Sequence, residues 1–441
     1  MHPIAIRLVA ALALLFTAAA QPARAVTLIR DAEIEYALDQ LAAPVLRAAG
    51  LSPDRVQVLL IHDRTMNAFV IGNDAIFIHT GLVLQLDSAA QLQAVIAHEA
   101  AHIANGHITR RMTNMRMAQN GAGFGLALAI AVAAAGGEAD AVAGIAVGSA
   151  QSAQRRFFAH TRAEEASADQ ASIRYLLSAG VPTAGAVEVL QIFRGQEALS
   201  VDRQDPYART HPLTTDRLRA LQALVSANPG TPRDTEAAAY WFARAQGKLS
   251  AFIRAPGWTL REVRGRTDAV SVMRAAVAYH RQPDPDRAIA TMRAVVNAAP
   301  DDAFYHDLYG QILLENRQTS AAVQAFARAA DLAPNEPLIL GGYGRALLAL
   351  DTDAGNARAV QVLEQARARD DRDARILRDL GQAYARTGQP GQASLAVAER
   401  YALIGRMEDA ALHAGRAADQ LPRGSAPWQR AQDVLSAARQ Q

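Results

Sequence analysis

A period of about 34 residues in the second half of the chain constrains the fold more than any other feature. Gly344 follows Gly310 by 34 residues, Pro334 follows Pro300 by the same interval, and Gly381 follows Gly344 by 37. Between these markers Gly310, Ala322, Phe326, Ala329 and Pro334 alternate small and large residues at fixed offsets. Tyr279, Ala288 and Pro300 fit the preceding unit, and Ala410, Ala417 and Pro422 fit the following one. A unit of this length cannot bury its apolar face alone, so neighbouring units must stack into one continuous core. The spacing predicts about four degenerate helical hairpins between Asp268 and Pro422.

Those offsets are the small and large positions of a tetratricopeptide repeat. The chain upstream reads differently. Residues 31–49 show a helical period with Asp31 as candidate N-cap, "VQVLLIH" (56–62), "NAFVI" (67–71) and "AIFIH" (75–79) read as strands, and "GND" (72–74) is a hairpin turn. A long helix is expected over 88–112, starting at Ser88. The Pro/Gly-rich "SANPGTPRDT" (226–235) separates the two regimes. The expected division is a signal peptide over 1–25, a mixed domain over 26–230, a helical linker over 231–267 and the repeats over 268–441.

The first residues carry Arg7, the apolar run 8–20 and the small-residue site "ARA" (23–25), the pattern of an export signal cleaved near Ala25. Its removal takes away Arg7 and Arg24 and leaves 43 basic and 43 acidic residues. That balance, without a single-sign block, gives no footprint for nucleic acid. With no cysteine, any metal must be held by His, Asp or Glu.

Such residues are concentrated in "AVIAHEAAHIANGH" (94–107). Residues four apart on a helix share a face, so His98 and His102 present two imidazoles at chelating distance while Glu99 is turned about 100° from His98. HExxH is the arrangement in which two nitrogens hold Zn²⁺ and the glutamate takes a proton from water. Chance matches should number on the order of 0.01 per chain. His107, about 140° from His102 on a continuing helix, is expected at the surface or behind a ligand. A third ligand is available in "TRAEEASADQAS" (161–172), where Glu165 and Asp169 share a face, so that one can bind metal while the other orients an imidazole.

HExxH followed by "TRAEEASAD" (161–169), with "NAFVIGNDAIFIHTGLV" (67–83) and "HPLTTDRL" (211–218), resembles the HtpX-type gluzincin metalloproteases. The leader in front and the repeats behind narrow the resemblance to periplasmic members that act in outer-membrane protein assembly. It implies an α+β, mostly helical chain: a zincin-type metalloprotease domain with a small β-sheet, then an all-α tetratricopeptide-repeat solenoid. It also implies His98, His102 and Glu165 as ligands of one Zn²⁺, with Glu164 the competing donor, and Glu99 as general base. Asp169 and Arg162 support the ligands, and Asn67, Ala68 and Phe69 form an edge strand that accepts an extended substrate backbone.

Two features stay open. The runs 121–137 and 141–150 are apolar but each falls short of about 20 residues, which favours packed helices and leaves peripheral membrane contact as the other reading. His211 either opens a turn before a helix capped by Thr214 or Thr215, or gates the zinc as a fourth ligand. The implied function is a periplasmic zinc endopeptidase, with a chaperone role, acting on unfolded or misassembled envelope proteins. The other reading is a repeat-based binding module for the outer-membrane assembly machinery whose protease is little used.

Overall fold

A computed structural model describes residues 27–107, 109–110, 162–200 and 203–440. The expected signal peptide and the apolar stretch 121–150 lie outside the described residues. β1 (Leu28–Ile29), β2 (Gln57–Ile61), β3 (Ala68–Ile71) and β4 (Ala75–His79) form one sheet in the order β1-β2-β4-β3. β2 and β4 run parallel, and β3 folds back antiparallel on β4 through Gly72, whose φ is +68°. Among the described residues β3 is thereby an edge strand. The two-residue β1 is too short to show a period and was not expected from the sequence.

α1 (Ala32–Ala48) starts at Asp31, whose carboxylate accepts from the Ile34 N–H, and covers the sheet with Leu38, Leu41 and Val45. β4 runs straight into α2 (Thr80–Val83), where a side chain on Gly81 would stand 2.1 Å from the Arg64 carbonyl oxygen. α3 (Ala89–Ala104) begins at Ser88, whose hydroxyl accepts from the Gln91 N–H, and is buried along nearly its whole length. It stops short of the expected Met112 because Asn105 ends it and Gly106 turns left-handed at φ +68°. α4 (Arg162–Ala179) packs along α3, followed by α5 (Ala184–Ile192), the single-turn α6 (Pro206–Thr210) and α7 (Thr215–Ala227).

α8 (Thr235–Ile253) and α9 (Pro256–Glu262) occupy the segment expected to be a linker. α8 is a shared wall: Phe242, Ala245 and Leu249 lie in the core built by the sheet, α1 and α3, while the helix also packs on the first repeat helix. The repeats are antiparallel pairs: α10 (Ala269–Arg281) with α11 (Pro285–Ala298), α12 (Ala303–Glu315) with α13 (Thr319–Leu332), and α14 (Pro337–Ala349) with α15 (Asp353–Arg369). α16 (Ala374–Arg386) follows, and α17 (Pro390–Leu403) packs against both α16 and α18 (Met407–Gln420) before α19 (Ala426–Arg439) closes the array. Gly310 and Gly344 sit where a side chain would strike Phe326 and Leu363, which explains the small positions of the period.

The halves meet at a buried ionic joint. Arg244 and Lys248, four apart on α8, are both fully buried; Arg244 pairs with Glu33 and Asp302, and Lys248 with Asp31 at 2.9 Å and Glu33 at 3.2 Å. Beside it Arg30, which lines a cleft of about 420 Å³ together with Asp31 and Asp373, reaches Asp370 at 2.7 Å. Among the described residues no helix is long and apolar enough to cross a membrane.

Candidate metal centre

Because α3 is buried on all sides, the polar side chains on it must find partners inside the protein. His98 and His102 project from its last turns with their Nε2 atoms 3.1 Å apart. α4 brings Glu165 to 3.3 Å from His98 Nε2 and 3.4 Å from His102 Nε2. The residue after α6 adds His211, whose Nδ1 lies 3.1 Å from Glu165 Oε1 and 3.3 Å from His98 Nε2. Each of these four buried residues offers a donor atom, and the four atoms lie within 4.8 Å of one another. Glu99, also buried, faces His211 Nε2 at 3.4 Å.

The donor set fits a small divalent cation. Metal–ligand bonds of about 2.0–2.1 Å in a tetrahedron give ligand–ligand edges of about 3.3–3.4 Å. Five spacings among His98, His102, Glu165 and His211 are 3.1–3.4 Å, close to those edges, with His98 and His102 nearest different oxygens of Glu165, and the four donor atoms all lie within 4.8 Å of one another. Imidazole and carboxylate donors without thiolate suit zinc and its neighbours.

A shell of charges orients these donors. Asp169 Oδ1 lies 3.2 Å from His98 Nδ1, which turns the Nε2 of that ring inward. Arg217 on α7 contributes Nε and Nη2 to Asp169 at 2.7 and 2.8 Å and Nη1 to Glu165 at 2.6 Å. Burial pulls the His98 imidazolium down, but its bonds to Asp169 and Glu165 outweigh this and raise its pKa to about 10. Burial opposes ionised Asp169, yet Arg217 and His98 hold it at about 2. Glu165 is likewise held well below the usual carboxylate range, against its burial, by His211, Arg217 and His102. Burial, assisted by the neighbouring imidazoles, keeps His102 well below its ordinary value and neutral. The carboxylates are thus ready to bind a cation at neutral pH.

One placement differs from the sequence reading. Arg162 is exposed at the start of α4, and the guanidinium that pairs with Glu165 and Asp169 is that of Arg217. Arg217 lies 48 residues beyond Asp169, so no local period could pair them; the only signal was its place two turns after His211, in a helix capped by Thr214. His107 takes the second of its two expected places, behind a ligand: after the break at Gly106 it lies buried with its Nδ1 2.9 Å from His102 Nδ1. Glu164 faces Arg110, not the cluster. Ala68 and Phe69 lie on β3 and Asn67 just before it, and among the described residues β3 is an edge strand.

The family model "Peptidase family M48" matches residues 29–225, which contain every element of this cluster. Residues 29–225 are an M48 peptidase domain. The model for the TPR domain of cytochrome c-type biogenesis protein H matches residues 272–408, over the helical pairs behind it. With the M48 domain and the repeats together, the chain is 24% identical over 410 residues to the beta-barrel assembly-enhancing protease of Escherichia coli, covering 90% of this chain and 81% of that protein. It is 25% identical over 301 residues to a Vibrio cholerae protein named for the same activity, spanning 63% of this chain but only 58% of that protein. A MamA crystal structure aligns with 37% of this chain and 92% of its own length at 19% identity and a TM-score of 0.29.

Proposed function

We propose that the chain is a zinc-dependent endopeptidase of the periplasm that cleaves unfolded or misassembled outer-membrane and envelope proteins. The observation that carries this reading is the buried set His98, His102, Glu165 and His211 beside Glu99. In it His98, His102 and Glu165 hold one zinc ion, which when bound lowers the pKa of water and polarises a peptide carbonyl. Glu99 takes the proton from the attacking water and returns it to the leaving amine. Asp169 keeps the His98 Nδ1 proton fixed, and Arg217 neutralises the charge that two buried carboxylates would otherwise accumulate. The open edge of β3 adds the substrate backbone as a further strand, which accepts varied sequences.

A catalytic zinc keeps one position for water, and His211 stands where that position would be. This arrangement supports a latent enzyme in which the α6 segment must move before a substrate is cut. Once displaced, the imidazole can donate a hydrogen bond to the oxyanion. The named activity of the relatives points to client proteins of β-barrel assembly, and the repeats offer the surface for a partner in that machinery.

Purified full-length chain incubated with unfolded casein should cleave it in zinc, stop after chelation and recover when zinc is restored. Cleavage unaffected by chelation would overturn the metal assignment. Absence of cleavage by His211→Ala as well as by the parent chain would favour the binding reading, in which the repeats act and the protease does not.

A further inference from the structure

Among the described residues β3 is an edge strand, and the segment carrying His211 is tied to Met66, two residues before the strand begins. The Asn67 carbonyl accepts from the His79 N–H at 2.9 Å, and with the register Ala68↔Ile78 and Phe69↔Phe77 this turns the backbone groups of Asn67, Phe69 and Ile71 toward β4. Ala68 and Val70 then present theirs to the open edge. Met66 follows the same alternation, but both its groups are taken: its N–H donates to Asp205 Oδ1 at 3.3 Å, and its carbonyl accepts from the Tyr207 N–H at 3.2 Å.

Asp205 stands at the N-cap of α6, yet its carboxylate does not cap that helix. It is diverted to Met66 and to Gln196, whose side-chain amide donates to Asp205 Oδ2 at 2.7 Å and accepts from the Asp205 N–H at 2.7 Å. From there the connection to His211 is short and stiff. The Tyr207 carbonyl accepts from the His211 N–H at 2.8 Å, and the Tyr207 ring stacks between His211, 4.5 Å away, and Phe193, 4.8 Å away. What happens at the Met66 rung therefore reaches His211 through one turn of helix.

We infer that Met66, Asp205 and Tyr207 form a length-sensing latch, in which a substrate backbone extending along the β3 edge as far as Met66 takes over its N–H and C=O, frees α6 and carries His211 off the metal cluster. A shorter peptide, held only by Ala68 and Val70, leaves the latch closed. Asp205 and Tyr207 are positioning residues that act through His211, and the chemical class selected is an extended, unfolded polypeptide as opposed to a short peptide. This rests on the reading that β3 receives substrate backbone.

The test uses amide hydrogen exchange on the full-length, zinc-loaded Glu99→Gln variant, with two probes of alternating Val and Thr, one of ten residues and one of four. The ten-residue peptide should slow exchange in 68–71 and speed it in 206–211, while the four-residue peptide does only the first. Protection of 68–71 by the ten-residue peptide with exchange in 206–211 unchanged would overturn the latch. Failure of both peptides to protect 68–71 would overturn the edge-strand reading itself. Independently of any peptide, Asp205→Ala and Gln196→Ala should each speed exchange in 206–211 by about tenfold, with α3 unaffected as a control for folding. Unchanged exchange in both variants removes the latch whatever β3 binds.

Discussion

The molecule contains two buried charged clusters, and they are built on opposite plans. At the joint between the halves, the carboxylates of Glu33, Asp31 and Asp302 meet two cations of the chain itself, Arg244 and Lys248, both without solvent exposure. Their neighbours raise the pKa of each cation, against burial, so the charges persist. In the candidate metal centre Arg217 sits behind Asp169 and Glu165, and the inward face is lined by His98, His102, Glu165 and His211. One cluster is neutralised from within and holds two bodies together. The other turns imidazole and carboxylate atoms from three separate segments toward one point, the pattern of a cation site.

The largest difference between the clusters should appear on loss of a single carboxylate. Glu99→Gln should lower peptide cleavage by about 10²–10⁴-fold while zinc content, read by mass spectrometry of the native protein, stays at one per chain. At the joint the corresponding lesion acts on stability. Arg244→Met leaves part of the Glu33 and Asp302 charge buried and unpaired, so urea unfolding should show a loss of about 3–5 kcal/mol with zinc binding unchanged. Equal loss of zinc in that variant would erase the distinction between the clusters.

A smaller effect is expected where the metal centre borrows the device of the joint. Arg217→Gln removes the cation behind Glu165 and Asp169, and zinc affinity measured by chelator competition should fall about 10–100-fold. The smallest effect concerns pH. Burial, with Asp31 and Glu33 nearby and against Lys248 and Arg345, pushes half-buried Asp307 up to about 7; burial, with Glu35 and Asp307, does the same to Glu336. A raised carboxyl binds its proton more readily in the folded state, so the folded chain should lose stability as pH rises from about 4 to about 7 and level off above that. A urea midpoint higher at pH 5.5 than at pH 8, with the gap narrowed by Asp307→Asn, checks the sign.

Local features of both regions were legible in the sequence. Asp31 and Ser88 start helices as their side chains require, and the turn at Gly72 joins the expected strands. His98 and His102 share a face because a four-residue spacing on one helix leaves no other arrangement. What was missed depends on partners distant in the chain or on one residue's backbone angle. Arg217 and Arg244 have no local mark of their partners, which lie 48 and 211 residues earlier. The early end of α3 follows from Gly106; an Asn-Gly pair at the end of a helical period is a stop signal that outweighs the apolar pattern continuing beyond it.

The contact of Arg30 with Asp370 closes a loop of 340 residues. Bringing such ends together costs about 5 kcal/mol of chain entropy, and no contact of this kind can form until the repeat helices exist. Synthesis delivers residue 30 first and residue 370 near the end, so this contact beside the joint is a late event in folding. A chain interrupted before the end of α15 would lack Asp370 and with it that closure.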